Sequence, residues 1–186
     1  MFIQTEATPN PATLKFIPGK TVLASGTVDF RSLEEAIRSP LAHRLFGIEG
    51  VSGVFLGPDF ISVTKDVAEW QHIKPAVLGV IMEHYLSGAP VVSDGAHAGT
   101  DTPAEDFAPE DQEIVDTIKE LLETRVRPAV AQDGGDIVFH SFRDGIVSLH
   151  MRGACSGCPS STATLRHGIE NLLKHFVPEV QEVRPV

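Results

Sequence analysis

The sequence predicts an α+β protein: two small α/β-mixed domains joined by an acidic flexible linker, the second running α-β-β-α-β. Three observations carry this prediction. Short strand-like runs alternate with helical apolar stripes in both halves, and no tandem repeat appears. Turn-forming clusters separate the runs: Pro9-Asn-Pro11, Gly57-Pro-Asp59 and Arg143-Asp-Gly145. Between the halves, residues 89–112 hold six acidic and no basic side chains, are rich in Pro, Gly, Ser and Thr, and lack apolar periodicity. Such a stretch buries too little surface to offset its ordering entropy. The expected division is therefore a first domain over 1–88, a linker over 89–109 and a second domain over 110–186.

In the first domain, Phe2–Glu6 and Ala12–Ile17 read as strands on either side of Pro9-Asn-Pro11. Ser32-Leu-Glu-Glu35 has the form of a capping box and opens a short helix. Ser39-Pro40 places a capping hydroxyl before a proline at the first helical position, which starts a second helix through about Phe46. Val51–Leu56 and Phe60–Lys65 read as a hairpin. A longer helix carries Ile73, Val77, Val80, Ile81 and His84 on one face, with Pro75 obscuring its start. Trp70 and Tyr85 are expected in the core or at its edge.

The second domain opens on Ile114, Ile118, Leu121 and Leu122, the stripe of an amphipathic helix. Acids lie at its start and Arg125 and Arg127 at its expected end, as the helix dipole favours. Ile137–Phe142 and Ile146–Met151 form a hairpin. Leu165, Ile169, Leu172, Leu173 and Phe176 mark a second helix, and a short strand near Val180–Val183 closes the domain.

Composition narrows the function. The hydrophobic fraction of 42% supports packed cores. A net charge of -10 argues against nucleic acid, whose phosphates need clustered Lys and Arg. No run approaches the ~18 apolar residues of a membrane span. Met-Phe-Ile-Gln-Thr-Glu shows neither a secretory signal nor an Arg-rich presequence. The expected location is a bacterial cytoplasm, and a mature mitochondrial protein would look the same.

Cys155 and Cys158 are the two cysteines of the chain, in Arg152-Gly-Ala-Cys-Ser-Gly-Cys-Pro-Ser160. Two thiolates three apart can grip one soft metal centre from one side but cannot close a four-thiolate site. Ser160 or Ser161 can cap the following helix. The helix N-terminus, with Arg152 and Arg166, is expected to favour the thiolate and give an exposed dithiolate. Gly153 and Gly157 let backbone approach a cluster, and Pro159 fixes the exit into the helix. Several chemistries fit. Two chains could share an iron–sulfur cluster across a two-fold axis. The pair could be a dithiol-disulfide oxidoreductase, although Ser-Gly between the cysteines is unlike the thioredoxin context. Zinc would need two further ligands, with His140, His150, His167 and His175 as candidates. A copper loop fits less well, because Met151 stands four residues before Cys155. An unmetallated reduced pair is the remaining reading. Asp133-Gly-Gly-Asp136 reads either as a tight turn between helix and hairpin or as an acidic rim near the cysteines.

Arg127-Pro-Ala-Val-Ala-Gln-Asp-Gly-Gly-Asp136, the hairpin after it and Gly153-Ala-Cys-Ser-Gly-Cys-Pro159 are together similar to the C-terminal domain of the NifU/Nfu family. Phe2–Gly19 with Pro9-Asn-Pro11, and Ser39–Phe46 with Val51–Lys65, resemble its Nfu-type N-terminal domain. The resemblance implies an iron–sulfur cluster scaffold or carrier and not an enzyme. It implies Cys155 and Cys158 as ligands of a [4Fe-4S] cluster shared by two chains, and hence a homodimer when loaded. It further implies receipt from upstream assembly proteins and transfer to apo-enzymes such as lipoyl synthase and aconitase-like dehydratases. The N-terminal domain would help to choose partners. Longer NifU proteins carry further cysteine-bearing modules absent here, so carriage is expected rather than cluster synthesis.

Overall fold

The computed structural model describes residues 1–93, 105–156 and 159–186, without the side chains of 159–161. The chain divides into two compact units, Met1–Thr100 and Asp101–Val186, each with its own apolar core.

In the first unit the described strands are β1 (Gln4–Ala7), β2 (Thr13–Ile17), β3 (Val28–Phe30), β4 (Val51–Leu56) and β5 (Ile61–Lys65). They form one antiparallel sheet in the order β1-β2-β5-β4-β3. The caps act as their residue types dictate. The Ser32 hydroxyl accepts from the Glu35 amide at 3.2 Å and starts α1 (Leu33–Ala36), while the Glu35 carboxylate accepts from the Arg31 amide. The Ser39 hydroxyl accepts from the Ala42 amide at 3.1 Å and starts α2 (Pro40–Phe46). Helix α3 (Trp70–Ser87) begins five residues before Pro75 and runs through it. It lays Ile73, Val77, Ile81 and His84 against a core of Phe16, Phe30, Leu41, Leu45 and Ile61. Trp70 and Tyr85 pack at the edge of that core and donate to the carbonyls of Pro11 and Thr21.

In the second unit α4 (Gln112–Leu121) does not stop near the arginines. It passes through a π-helical turn, Leu122–Val126, into α5 (Arg127–Gln132). Arg127 is thus inside a continuing helical path rather than at its end. The apolar stripe continues through Val126 and Val130, both buried, and so holds the helix past the expected stop. Strands β7 (Gly135–Arg143) and β8 (Ile146–Gly153) form the expected hairpin, closed by Asp144 and Gly145 with φ of 51° and 77°. Positive φ at both central residues is the mark of a type I′ turn, which matches the twist of the flanking strands. Helix α6 (Pro159–Phe176) returns the chain so that β9 (Glu182–Pro185) lies parallel to β8. Ile118, Ile137, Leu149, Leu173 and Val183 are fully buried in the core.

The middle of the acidic stretch, residues 94–104, lies outside the described residues. Its described ends are tied to the flanking units. The Ser93 amide donates to the Arg38 carbonyl, and the Ser39 hydroxyl to that of Val91. On the other side, β6 (Asp106–Phe107) pairs in parallel with β7. Two residues are too short for a periodic signal, so β6 is invisible to sequence patterning.

His84 is fully buried and meets Tyr85 edge-on. Burial first, and Arg44 second, lower its pKa from the ordinary value, against a raising contribution from the Ala89 backbone. A depressed histidine contributes stability above its unfolded pKa and loses it as pH falls, because only the unfolded chain takes the proton readily. Wild type should therefore lose stability relative to His84→Leu as pH drops below about 6.5, by at most about 1.4 kcal/mol per pH unit for one proton. Paired urea melts across pH 5 to 8 test this, and parallel pH curves for the two proteins would refute it.

Candidate functional site

The site grows from the end of β8. Gly153, with φ of 61°, turns the strand, and Ala154 and Cys155 follow in a tight bend. The Cys155 amide donates to the Arg152 carbonyl at 3.3 Å, and the Ser156 amide and hydroxyl both donate to that of Gly153. From α6 the Thr162 hydroxyl donates to the Cys155 carbonyl at 3.1 Å. The bend is therefore held by strand and helix together.

Asp133-Gly-Gly-Asp136 lies directly beneath it. The Ala154 amide donates to the Gly134 carbonyl at 3.2 Å. A methyl group added at Gly135 would stand 2.4 Å from the Cys155 sulfur, 2.9 Å from the Arg152 carbonyl oxygen and 3.0 Å from the Cys155 amide nitrogen. Only glycine leaves the sulfur its space. Both readings of this segment hold in part: it is a turn, and it adjoins the thiol. Asp133 is exposed at the surface, but the segment is not a fully open acidic rim, because Asp136 is 3% exposed. Its carboxylate receives Nε and Nη2 of Arg127 at 2.8 and 2.9 Å and the Ile137 amide at 2.8 Å, while Nη1 of Arg127 reaches Glu123.

Cys155 itself departs from the expected exposed thiolate. It is 6% exposed and belongs to the apolar core of the second unit. Burial first, then the charges of Asp133 and Asp136, push its thiol up to about 12. Desolvation and two carboxylates thus decide the protonation state, and the thiol is neutral at physiological pH. Cys158 and Gly157 lie outside the described residues, as do the side chains of Pro159, Ser160 and Ser161. Of the histidines weighed as zinc ligands, His140 and His150 meet ring to ring on the hairpin, and His175 contacts Phe176 on α6. Among the described residues no group of three His, Cys, Asp or Glu side chains converges as a metal site.

Sequence reasoning missed the Arg127–Asp136 fork. The two residues stand nine apart on different elements, so no spacing rule joins them. The adjacency of Gly135 to the sulfur likewise arises only when the hairpin closes.

A family model described as "Scaffold protein Nfu/NifU N terminal" matches residues 3–88, and one described as "NifU-like domain" matches residues 118–184. A human protein named "NFU1 iron-sulfur cluster scaffold homolog, mitochondrial" is 51% identical over 188 residues, covering 100% of this chain and 72% of that protein. The chain belongs to the Nfu/NifU scaffold family. A protein of the same name from Drosophila sechellia is 52% identical, and the chain spans 65% of its length. The solution structure of a NifU-like protein from Saccharomyces cerevisiae matches 50% of this chain and 86% of its own at 28% identity, with a TM-score of 0.46. Scaffold families are not families of catalysts, in line with the expectation of a non-enzyme. The Nfu relatives are mitochondrial by name, which lends no support to the expected bacterial cytoplasm. Among the described residues no helix is long and apolar enough to cross a membrane.

Two outcomes follow from the geometry. Gly135→Ala should destabilise the second unit by about 1–3 kcal/mol, the usual cost of overpacking, and should raise the alkylation rate of Cys155 in a Cys158→Ser background. An unchanged melting curve and alkylation rate would show that the bend gives way freely. Arg127→Met leaves the Asp136 carboxylate buried without its fork and should cost about 3–5 kcal/mol. The double change Arg127→Met with Asp136→Leu should recover part of that loss in chemical denaturation, and additive losses would contradict the buried pair.

Proposed function

We propose that this chain is a carrier of iron–sulfur clusters. Two copies hold one [4Fe-4S] cluster through Cys155 and Cys158 of each, and release it to apo-enzymes. The observation that carries this reading is the cysteine count and its setting. Two cysteines per chain make half of a four-thiolate set, and Cys155 is held at the strand-to-helix bend beside a glycine that spares its sulfur room. The names of the Nfu relatives, iron-sulfur cluster scaffold homologs, support it.

The cluster is cargo here, and the residues of this chain explain how it could be taken and given up. A thiol that coordinates metal is deprotonated outright, so loading must expel the Cys155 proton that burial and the two carboxylates otherwise retain. The same residues favour the proton's return when a client's thiolates displace the sulfur. Soft thiolates suit iron–sulfur centres, and exchange can proceed one ligand at a time. A cluster at a symmetric interface makes release equivalent to separation of the dimer. Lipoyl synthase and aconitase-like dehydratases are the proposed clients, and assembly proteins upstream the proposed donors. The first unit would select among them.

In the competing dithiol-disulfide reading Cys155, buried and protonated, would be the resolving thiol, and attack on a disulfide would fall to Cys158.

Anaerobic reconstitution with iron and sulfide tests the proposal. About four irons and four sulfides per two chains are expected, with a dimeric mass by sedimentation. Cys155→Ser and Cys158→Ser should each remove most of the iron and leave a monomer. Cluster retention at wild-type yield in either variant would sink the ligand assignment. An iron-free monomer that instead closes a Cys155–Cys158 disulfide would favour redox chemistry.

A further inference from the structure

We propose that His140 and His150 form a two-imidazole site for a first-row divalent transition metal ion, on the face of the second unit's sheet that turns away from the core. The inference is independent of the cluster reading, because it uses neither cysteine.

The strand register makes the pair. Val138 stands opposite His150, Phe139 opposite Leu149 and Ser141 opposite Ser148, so His140 is the extra residue of a bulge in β7. In an unbroken ladder His140 would be a diagonal neighbour of His150, with the backbones about 7–8 Å apart and the side chains within reach of each other. A bulge bends its strand and re-aims the side chain. Here it leaves the two ring centres 4.7 Å apart, with the planes at 87°. Both residues are half-buried, while Phe139, Leu149 and Met151 fill the core on the other face.

That separation is what a shared metal requires. A metal bound to imidazole lies about 2.0–2.1 Å from nitrogen and so roughly 3 Å from the ring centre. Two such rings at about 90–110° around one ion have centres about 4.5–5 Å apart. The edge-on meeting of the rings and their final approach to an ion differ by rotation about χ2, which is a soft torsion for histidine. A second observation points the same way. The Nδ1 atom of His140 is buried and has no hydrogen-bond partner among the described residues. A buried polar atom in that state is costly, and coordination by the ring would change its surroundings and its tautomer.

The site's limits set its ligand class. Two imidazoles with no converging third His, Cys, Asp or Glu among the described residues leave the remaining positions to water. Binding should be weak and exchangeable. Arg152, two residues beyond His150 on the same face, adds positive charge that disfavours any cation held by charge alone, so affinity must come from imidazole coordination. Imidazole selects zinc, nickel and copper over calcium and magnesium.

The experiment uses the full chain carrying Cys155→Ser and Cys158→Ser, so that thiols do not compete, titrated calorimetrically with Zn2+ and Ni2+. One ion per chain is expected, reversed by chelator, with a rise in melting temperature and no response to Mg2+. His140→Gln and His150→Gln should each weaken binding at least about tenfold, whereas His167→Gln and His175→Gln should not. In the same doubly substituted chain, paramagnetic Ni2+ should broaden the imidazole NMR signals of His140 and His150 before those of other histidines. Binding that survives both substitutions, or none near one ion per chain below about 1 mM, would reduce the pair to a ring contact.

Discussion

Arg127 grips the buried carboxylate of Asp136 with two parallel hydrogen bonds, and the geometry at the thiol depends on that grip. The pair ties the first residue of α5 to the second residue of β7. It thereby fixes the Gly134-Gly135 turn between them. That turn receives the Ala154 amide and lies against the Cys155 sulfur. A guanidinium is suited to the task because its planar fork matches a carboxylate and stays charged. Lysine would supply charge without the fork. The π-helical turn just before Arg127 adds a residue to the helical spiral, and so sets which way the arginine faces.

The same carboxylates that build the turn act on the thiol electrostatically. Asp133 and Asp136 add to burial in keeping Cys155 protonated. A surface thiolate would react with any oxidant it met, whereas a buried thiol is slow to do so. Under the proposed carrier function an empty chain would gain from that protection, and loading would carry the penalty that a proton must leave and a negative sulfur be tolerated in an apolar site. The positive charge of iron would offset it, so the environment would discriminate between the empty and the occupied states of one side chain.

Much of the fold was legible because local signals agreed with tertiary packing. Ser32 and Ser39 cap where their side chains dictate, and Asp144-Gly145 makes the turn its residues favour. The β-β-α-β order after the first helix of the second unit followed from periodicity alone. What escaped were features set by contacts distant in sequence. β3 and β6 are three and two residues long and exist through their neighbours. The end of the first helix in the second unit was misplaced because Arg125 and Arg127 look like terminal cations, yet Arg127 is held by Asp136 and not by a helix dipole. The expected thiolate failed for a related reason. A helix N-terminus and nearby arginines are visible in sequence, whereas burial is not.

The hairpin shows how one local choice reaches both sites. Its two-residue turn fixes the register of β7 on β8, and side chains alternate between faces along each strand. With that register Leu149 and Met151 face the core and lead to Cys155 within it, while His150 and Arg152 take the opposite face. A slip by one residue would exchange the faces and lift Gly135 away from the bend it supports. The bulge at His140 changes the count on β7 by one while preserving the alignment at both ends, from Arg143 opposite Ile146 to Gly135 opposite Gly153. The strand end near the turn and the strand end near the thiol therefore keep their pairing. The irregularity is confined to the middle of the strand, where it brings the two imidazoles together without disturbing the cysteine bend.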